Sequence, residues 1–179
     1  MISTSAQPTP ADLERLVRLG RHSYLIRPVR GSDEAALFDM FASCSPRDLC
    51  LRCLGAIKDF PHVAAARLAR CDVKREAALA AIDAERAPPR EIVGVAHIVD
   101  DPGRSGAAEF DIMVRTDRQG RGIGFELMKE ILALARERGL KSVVGYVCNE
   151  NDAMLLMASE LGFSVEAAEA GVVQVAARL

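Results

Sequence analysis

Ala107-Ala108-Glu109-Phe110-Asp111-Ile112-Met113-Val114, then Arg115 to Arg118, then Gln119-Gly120-Arg121-Gly122-Ile123-Gly124, is the stretch on which the reading of this chain turns. The first segment mixes branched and aromatic residues with acids at alternate positions, the period of a strand. Behind the glycines, Ile123, Leu127, Ile131 and Leu134 recur at helical spacing. The order strand, glycine turn, helix places unpartnered backbone N–H groups and the positive end of a helix dipole where an anion can be held. Gly120, Gly122 and Gly124 remove side chains that would keep oxygen atoms from the amides, and Arg115, Arg118 and Arg121 are expected to add mobile positive charge. A diphosphate is the expected guest.

Two other phosphate loops are excluded. A P-loop needs Lys and Ser or Thr after its last glycine, whereas Phe125 and Glu126 stand here. A dinucleotide fingerprint opens an early βαβ unit, whereas this loop lies late in the chain. The run from Gln119 to Gly124 resembles the acetyl-CoA pyrophosphate loop of the GNAT N-acetyltransferase superfamily. Asn151, Met154, Leu161, Gly162 and Phe163 resemble that family's last helix. Within the superfamily, Leu25 to Arg30, Ser45-Pro46, Leu51-Arg52, Ile92 to Ala96 and the Ala108–Val114 strand are similar to bacterial protein lysine acetyltransferases that modify acyl-CoA synthetases.

The resemblance implies acetyl-CoA as cosubstrate and no metal. It implies a cofactor site of Gln119, Gly120, Arg121, Gly122, Ile123, Gly124 and Phe125, with the backbone of Ile112, Met113 and Val114 pairing with pantetheine and Asn151 bonding nearby. Asn151 is equally well placed as a helix N-cap. Glu109 matches the family's general base. The need is real, since presenting a lysine amine neutral near pH 7 costs roughly 4 to 5 kcal/mol. On a strand Glu109, Asp111 and Met113 share one face and Phe110, Ile112 and Val114 the other, so the two acids should face a solvated cleft or be paired. Many relatives carry a tyrosine seven residues after the asparagine to reprotonate the thiolate. Here that position is Ala158, which leaves water, or direct release of the CoA thiolate, for the task. The implied acceptor is a protein lysine, with an acyl-CoA synthetase as partner. A small-molecule amine acceptor and a non-catalytic acyl-CoA-binding module are the alternatives.

The 179 residues, half of them apolar, suit one core of ordinary size. A net charge of −2 provides no global field for nucleic acid, no apolar run approaches the roughly 20 residues of a membrane span, and the first ten residues lack a hydrophobic signal core. A cytoplasmic location is expected, and a homodimer is left open. Five cysteines at irregular spacing suit a reducing compartment, and Cys50 and Cys53 read as small apolar side chains on a helix face. His22, His62 and His97 show no metal spacing, and Cys148 is a poor candidate for an acyl carrier.

The expected elements are strands at 24–29, 76–82, 91–99, 107–114, 142–147, 163–165 and 172–176. Helices are expected near 33–41, after Ser45-Pro46, at 61–69, from 123 to 138 with Gly139 as C-terminal stop, and at 152–161. A turn at Pro88-Pro89 joins the second and third strands. The fold class is α/β (α+β): a GNAT-type mixed, mostly antiparallel central sheet with helices on both faces. Residues 1–20 are expected to form an N-terminal arm with a short helix, outside a domain at 21–179.

Overall fold

The computed structural model describes residues 13–53, 59–86, 91–169 and 171–179. The first twelve residues of the expected arm, the expected Pro88-Pro89 turn and residues 54–58 lie outside the described residues.

Among the described residues eight strands form one sheet: β1 (Arg15–Leu19), β2 (His22–Pro28), β3 (Glu76–Asp83), β4 (Ile92–Asp100), β5 (Ala107–Val114), β6 (Ser142–Cys148), β7 (Ser164–Glu169) and β8 (Val172–Arg178). The order is β1-β2-β3-β4-β5-β6-β8-β7. The pair β5–β6 is parallel and the other neighbours are antiparallel. Among the described residues the α-helices are α1 (Glu34–Ala42), α2 (Pro46–Cys53), α3 (Phe60–Ala69), α4 (Ile123–Glu137) and α5 (Asp152–Glu160).

Apolar residues at alternate strand positions give the sheet two dry faces. One buries Tyr24, Ile26, Leu79, Phe110 and Val143 under Ile123, Leu127 and Ile131 of α4 and Met154 and Ala158 of α5. The other buries Ala80, Ile82, Val95 and Met113 under Leu37, Met40 and Phe41 of α1 and Ala64, Ala65 and Leu68 of α3. The α4 stripe read from the sequence is therefore the core stripe. Gly94 brings that helix close: a Cβ there would lie 3.1 Å from Leu127 Cδ1 and 3.2 Å from Met113 O.

The N-terminal segment departs from expectation. Residues 15–19 form no helix and no arm; they are an edge strand in register with β2, Leu19 opposite His22. Gly20, at φ +61°, opens the two-residue turn between them, the conformation such hairpins need. Val17 and Leu19 pack on the α4 side of the sheet, which is why the segment joins the domain. The β7–β8 hairpin is also longer than the 163–165 and 172–176 expected, since β8 runs the length of β6.

The parallel pairing of β5 with β6 covers only Ala107–Ser142, Ala108–Val143 and Glu109–Val144. Beyond Glu109 the two strands part. At this fork the Phe110 ring lies across the backbone of Gly145, where a Cβ would meet its Cε1 at 2.2 Å. The ring is held edge-on to Phe163, with centroids 5.4 Å apart. Gly145→Ala should overpack this contact and cost about 1–3 kcal/mol, read as a lower urea midpoint. Unchanged stability would mean that Phe110 moves freely.

Candidate active site

The fork opens into a cleft of about 500 Å³, walled by the second half of β5, the glycine loop, the start of α4, β6 and α5. Of the residues singled out in the sequence, Glu109, Ile112, Met113, Val114, Gln119, Gly120, Gly122, Ile123, Gly124, Phe125 and Asn151 line it. Arg121 does not. Its guanidinium turns back to donate to Asp117 O at 3.1 Å.

Backbone direction follows from the ladder. Arg115 N–H donates to Val93 O, so Val114 and, two residues earlier, Ile112 turn their N–H and C=O away from β4 toward the cleft. Met113 differs from the expectation. Its backbone faces β4 and its side chain enters the core under α1 and α3. The Val114 carbonyl accepts from Gln119 Nε2 at 3.1 Å, so this side chain closes the loop onto the strand.

Gly120 and Gly122 hold φ +69° and +83°, and Gly122 is the N-cap of α4. The amides that follow are the orphan donors of a 15-residue helix and carry the positive end of its dipole. Leu19 of β1 packs on this turn, its Cδ2 3.6 Å from where a Gly122 Cβ would stand. The arginines are less mobile than expected. Arg115 is forked onto Asp117 at 2.6 and 2.8 Å and reaches Glu91 at 3.2 Å. Arg118 is buried against Asp83 at 3.4 Å. The cradle for an anion is thus mainly backbone.

The two acids of β5 have opposite fates. Glu109 is open to the cleft and has no ion-pair partner among the described residues. Partial burial of its carboxylate, then the negative charges of Asp111 and Asp101, raise its pKa above the usual glutamate value. Asp111 keeps 37 % of its side chain open to the cleft yet lies deep in the fold. Burial alone would raise its pKa, but Arg52 and His97 overcome that and hold it down to about 2. Arg52 donates to Asp111 Oδ1 and lies over the Phe41 and Phe60 rings.

His97 is a buried ionisable group for which the sequence showed no role. It is 1 % exposed on β4, directly opposite Asp111 on β5, with Nδ1 3.3 Å from Asp111 Oδ2 and Nε2 2.9 Å from Glu76 Oε2. Burial would lower its pKa; hydrogen bonds to Asp111, Cys71 and Glu76 and the Asp111 charge outweigh this and raise it to about 10. An alternation count run across β3, β4 and β5 together would have shown the row. Tyr146, half-exposed in the cleft from β6, was also missed. Asn151 acts as the α5 N-cap, accepting from Met154 N at 3.2 Å, while lining the cleft. Ala158 is buried and offers no proton, as expected. Cys50 is exposed, not part of an apolar face, and the Cys53 side chain lies outside the described residues.

The GNAT acetyltransferase family model matches residues 37–163, from α1 through the last helix. The chain belongs to the acetyltransferase (GNAT) family. It is 29 % identical over 144 residues to acetyltransferase PA5475 of Pseudomonas aeruginosa, covering 80 % of this chain and 76 % of that one. The crystal structure of the GNAT domain of S. lividans PAT superposes with a TM-score of 0.83 at 22 % identity over 96 % of this chain and all of that one. The Salmonella typhimurium protein yncA, with its cofactor acetyl-CoA, gives 0.69 at 17 % identity over 87 % and 93 %. The protein is an acetyl-CoA-dependent N-acetyltransferase. Among the described residues no helix is long and apolar enough to cross a membrane.

Two outcomes test this electrostatic description. His97 has its pKa raised on folding, so its stabilisation is complete below its ordinary 6.5 and is lost as pH rises toward about 10. The melting temperature should fall across that window, with Glu76, Asp111 and Cys71 unchanged in position, and should fall less in Asp111→Asn; a flat profile would contradict the buried imidazolium. Gly122→Ala forces a side chain into the left-handed region against Leu19, and should weaken acetyl-CoA binding in calorimetry by about 10-fold, for a backbone cost of roughly 1–2 kcal/mol. Gly124→Ala, whose Cβ would meet nothing nearer than 3.5 Å, should be milder.

Proposed function

We propose that the acceptor is the ε-amine of a protein lysine, with an acyl-CoA synthetase as protein substrate, and that Glu109 is the general base. The observation that carries the base assignment is position. Glu109 occupies the last paired rung before the fork, open to the cleft, on the strand whose far end meets the anion-binding loop. A thioester whose diphosphate sits on the Gly120–Gly124 turn and whose pantetheine runs along Ile112 and Val114 brings its carbonyl toward this carboxylate. The choice of a protein lysine rests on the similarity of the strand and loop, and of Leu25 to Arg30, to the lysine-modifying group.

The chemistry needs no covalent enzyme intermediate. Glu109 takes a proton from the ammonium, directly or through water, and the free amine attacks the thioester carbon. The C–N bond forms, the oxyanion is met by a cleft-facing N–H of β5, the second nitrogen proton passes to water, and the C–S bond breaks. The thiolate leaves with a proton from water, Ala158 having none to give. A raised Glu109 pKa suits the task, since a carboxylate of ordinary acidity is a weaker acceptor for an ammonium proton.

Radiolabelled acetyl-CoA offered with a purified acyl-CoA synthetase should label lysine. Glu109→Gln should lower kcat/KM by about 10²–10⁴-fold with acetyl-CoA affinity retained. The acid limb of the wild-type kcat/KM profile should lie above the ordinary glutamate value of 4.5 and vanish in the variant. Turnover with small amines but no label on protein would sink the lysine assignment. Tight acetyl-CoA binding without CoA release to any amine would sink the enzyme mechanism proposed here.

A further inference from the structure

We infer that Cys71, Glu76 and His97 form a binding site for a divalent transition-metal ion of the zinc class, at the C-terminal end of α3 and outside the acetyl-transfer cleft. Among the described residues their ligand atoms, one thiol sulfur, one carboxylate oxygen and one imidazole nitrogen, all lie within 4.8 Å of one another. Glu76 Oε2 and His97 Nε2 are already 2.9 Å apart. Ligands at about 2.0–2.3 Å from a tetrahedral ion stand some 3–4 Å apart, so only a small inward turn of the Cys71 side chain is required.

The fold brings the three together for local reasons. Cys71 ends the α3 exit, its N–H bonded to Leu68 O, and a turn in which Arg75 and Glu76 both donate to Asp72 O returns the chain to the start of β3. Glu76 and Ala78 share a sheet face, and Ala78 pairs directly with His97. The ring is rigidly buried, while Glu76 and Cys71 are half-buried, so an ion can enter from solvent and keep water as a fourth ligand.

Two features separate this group from a chance cluster. The donor set is mixed nitrogen, sulfur and oxygen, which suits zinc and its neighbours and does not suit magnesium or calcium, which favour oxygen. Thiolate and carboxylate together neutralise a divalent charge. His97 also has its second nitrogen facing Asp111 Oδ2 at 3.3 Å. With Nδ1–H directed to that carboxylate, Nε2 is the nitrogen that faces Glu76 and Cys71, and once its proton is lost its lone pair completes the carboxylate–histidine–metal arrangement that orients imidazole ligands. Binding displaces the Nε2 proton and the thiol proton to solvent. Asp111 is a positioning residue for the site, and Arg52 fixes Asp111 from the other side.

The test is Co²⁺ and Zn²⁺ titration of the full metal-free chain under reducing conditions. Co²⁺ should bind one equivalent per chain with a thiolate-to-metal charge-transfer band, and Zn²⁺ should displace it. Cys71→Ser, one atom changed in a surface turn, should abolish the band and weaken Zn²⁺ binding at least ~100-fold; Glu76→Gln should weaken Zn²⁺ binding with the band retained. Asp111→Asn should keep the band and lose about 10–100-fold in affinity. Absence of stoichiometric binding, or a band that survives Cys71→Ser, overturns the assignment and leaves the three residues as a hydrogen-bonded cross-link.

Discussion

The parting of β5 from β6 after Glu109 is the constraint on which the rest depends. Two parallel strands satisfy each other's backbone groups for three rungs and then stop. Unpaired strand backbone buried in a core is costly, so a fork is stable only if something else meets those edges. Part of the answer is internal. Gln119 caps the Val114 carbonyl, and Phe110 lies over Gly145 in place of a second side chain. What remains open is the length of backbone that a ligand rich in amides can use, ending at a helix N-terminus suited to phosphate. Glu109 stands at the apex because the last rung of the ladder is the last place where a side chain is held by both strands.

A second ordering principle runs at right angles to the strands. Glu76, His97 and Asp111 come from β3, β4 and β5 on one sheet face, and Arg52 from α2 closes the row. Alternating charges make this row tolerable in the interior, since each buried ion faces at least one of opposite sign. Its consequence for the cleft is division of labour between two acids two residues apart. Asp111 is committed to cations and stays a weak base, which leaves Glu109 as the acid whose proton affinity is free to rise.

Most of the architecture was legible because the signals were local. Period-2 alternation in 107–114, the apolar stripe of α4 and Gly139 at its end are readable from neighbours a few residues away. The glycine loop was readable because its chemistry is backbone chemistry. What escaped was non-local. Residues 15–19 are too short and too charged to declare a strand until β2 is there to pair with. Arg118 looked available because Asp83, its partner, lies more than 20 residues upstream, as does Glu91 for Arg115, although Asp117, onto which Arg115 is forked, stands only two residues away. His97 carries no motif, and its meaning comes from register across three strands. Met113 was assigned with its neighbours, although backbone direction alternates along a strand as strictly as side-chain direction does.

The placement of β1 bears on how the glycine loop comes to be ordered. Leu19 packs on Gly122 and Arg15 reaches Glu130 on α4 at 3.1 Å, so the N-terminal hairpin braces both the turn and the helix that follows it. A glycine-rich turn left to itself would lose much conformational freedom on gripping a diphosphate, and that loss would be subtracted from the affinity. With the brace in place the freedom is surrendered during folding, before any ligand arrives. Shortening the chain from its front would therefore be felt through that packing, as a slacker grip on the nucleotide end of the cosubstrate with the acyl end unaltered.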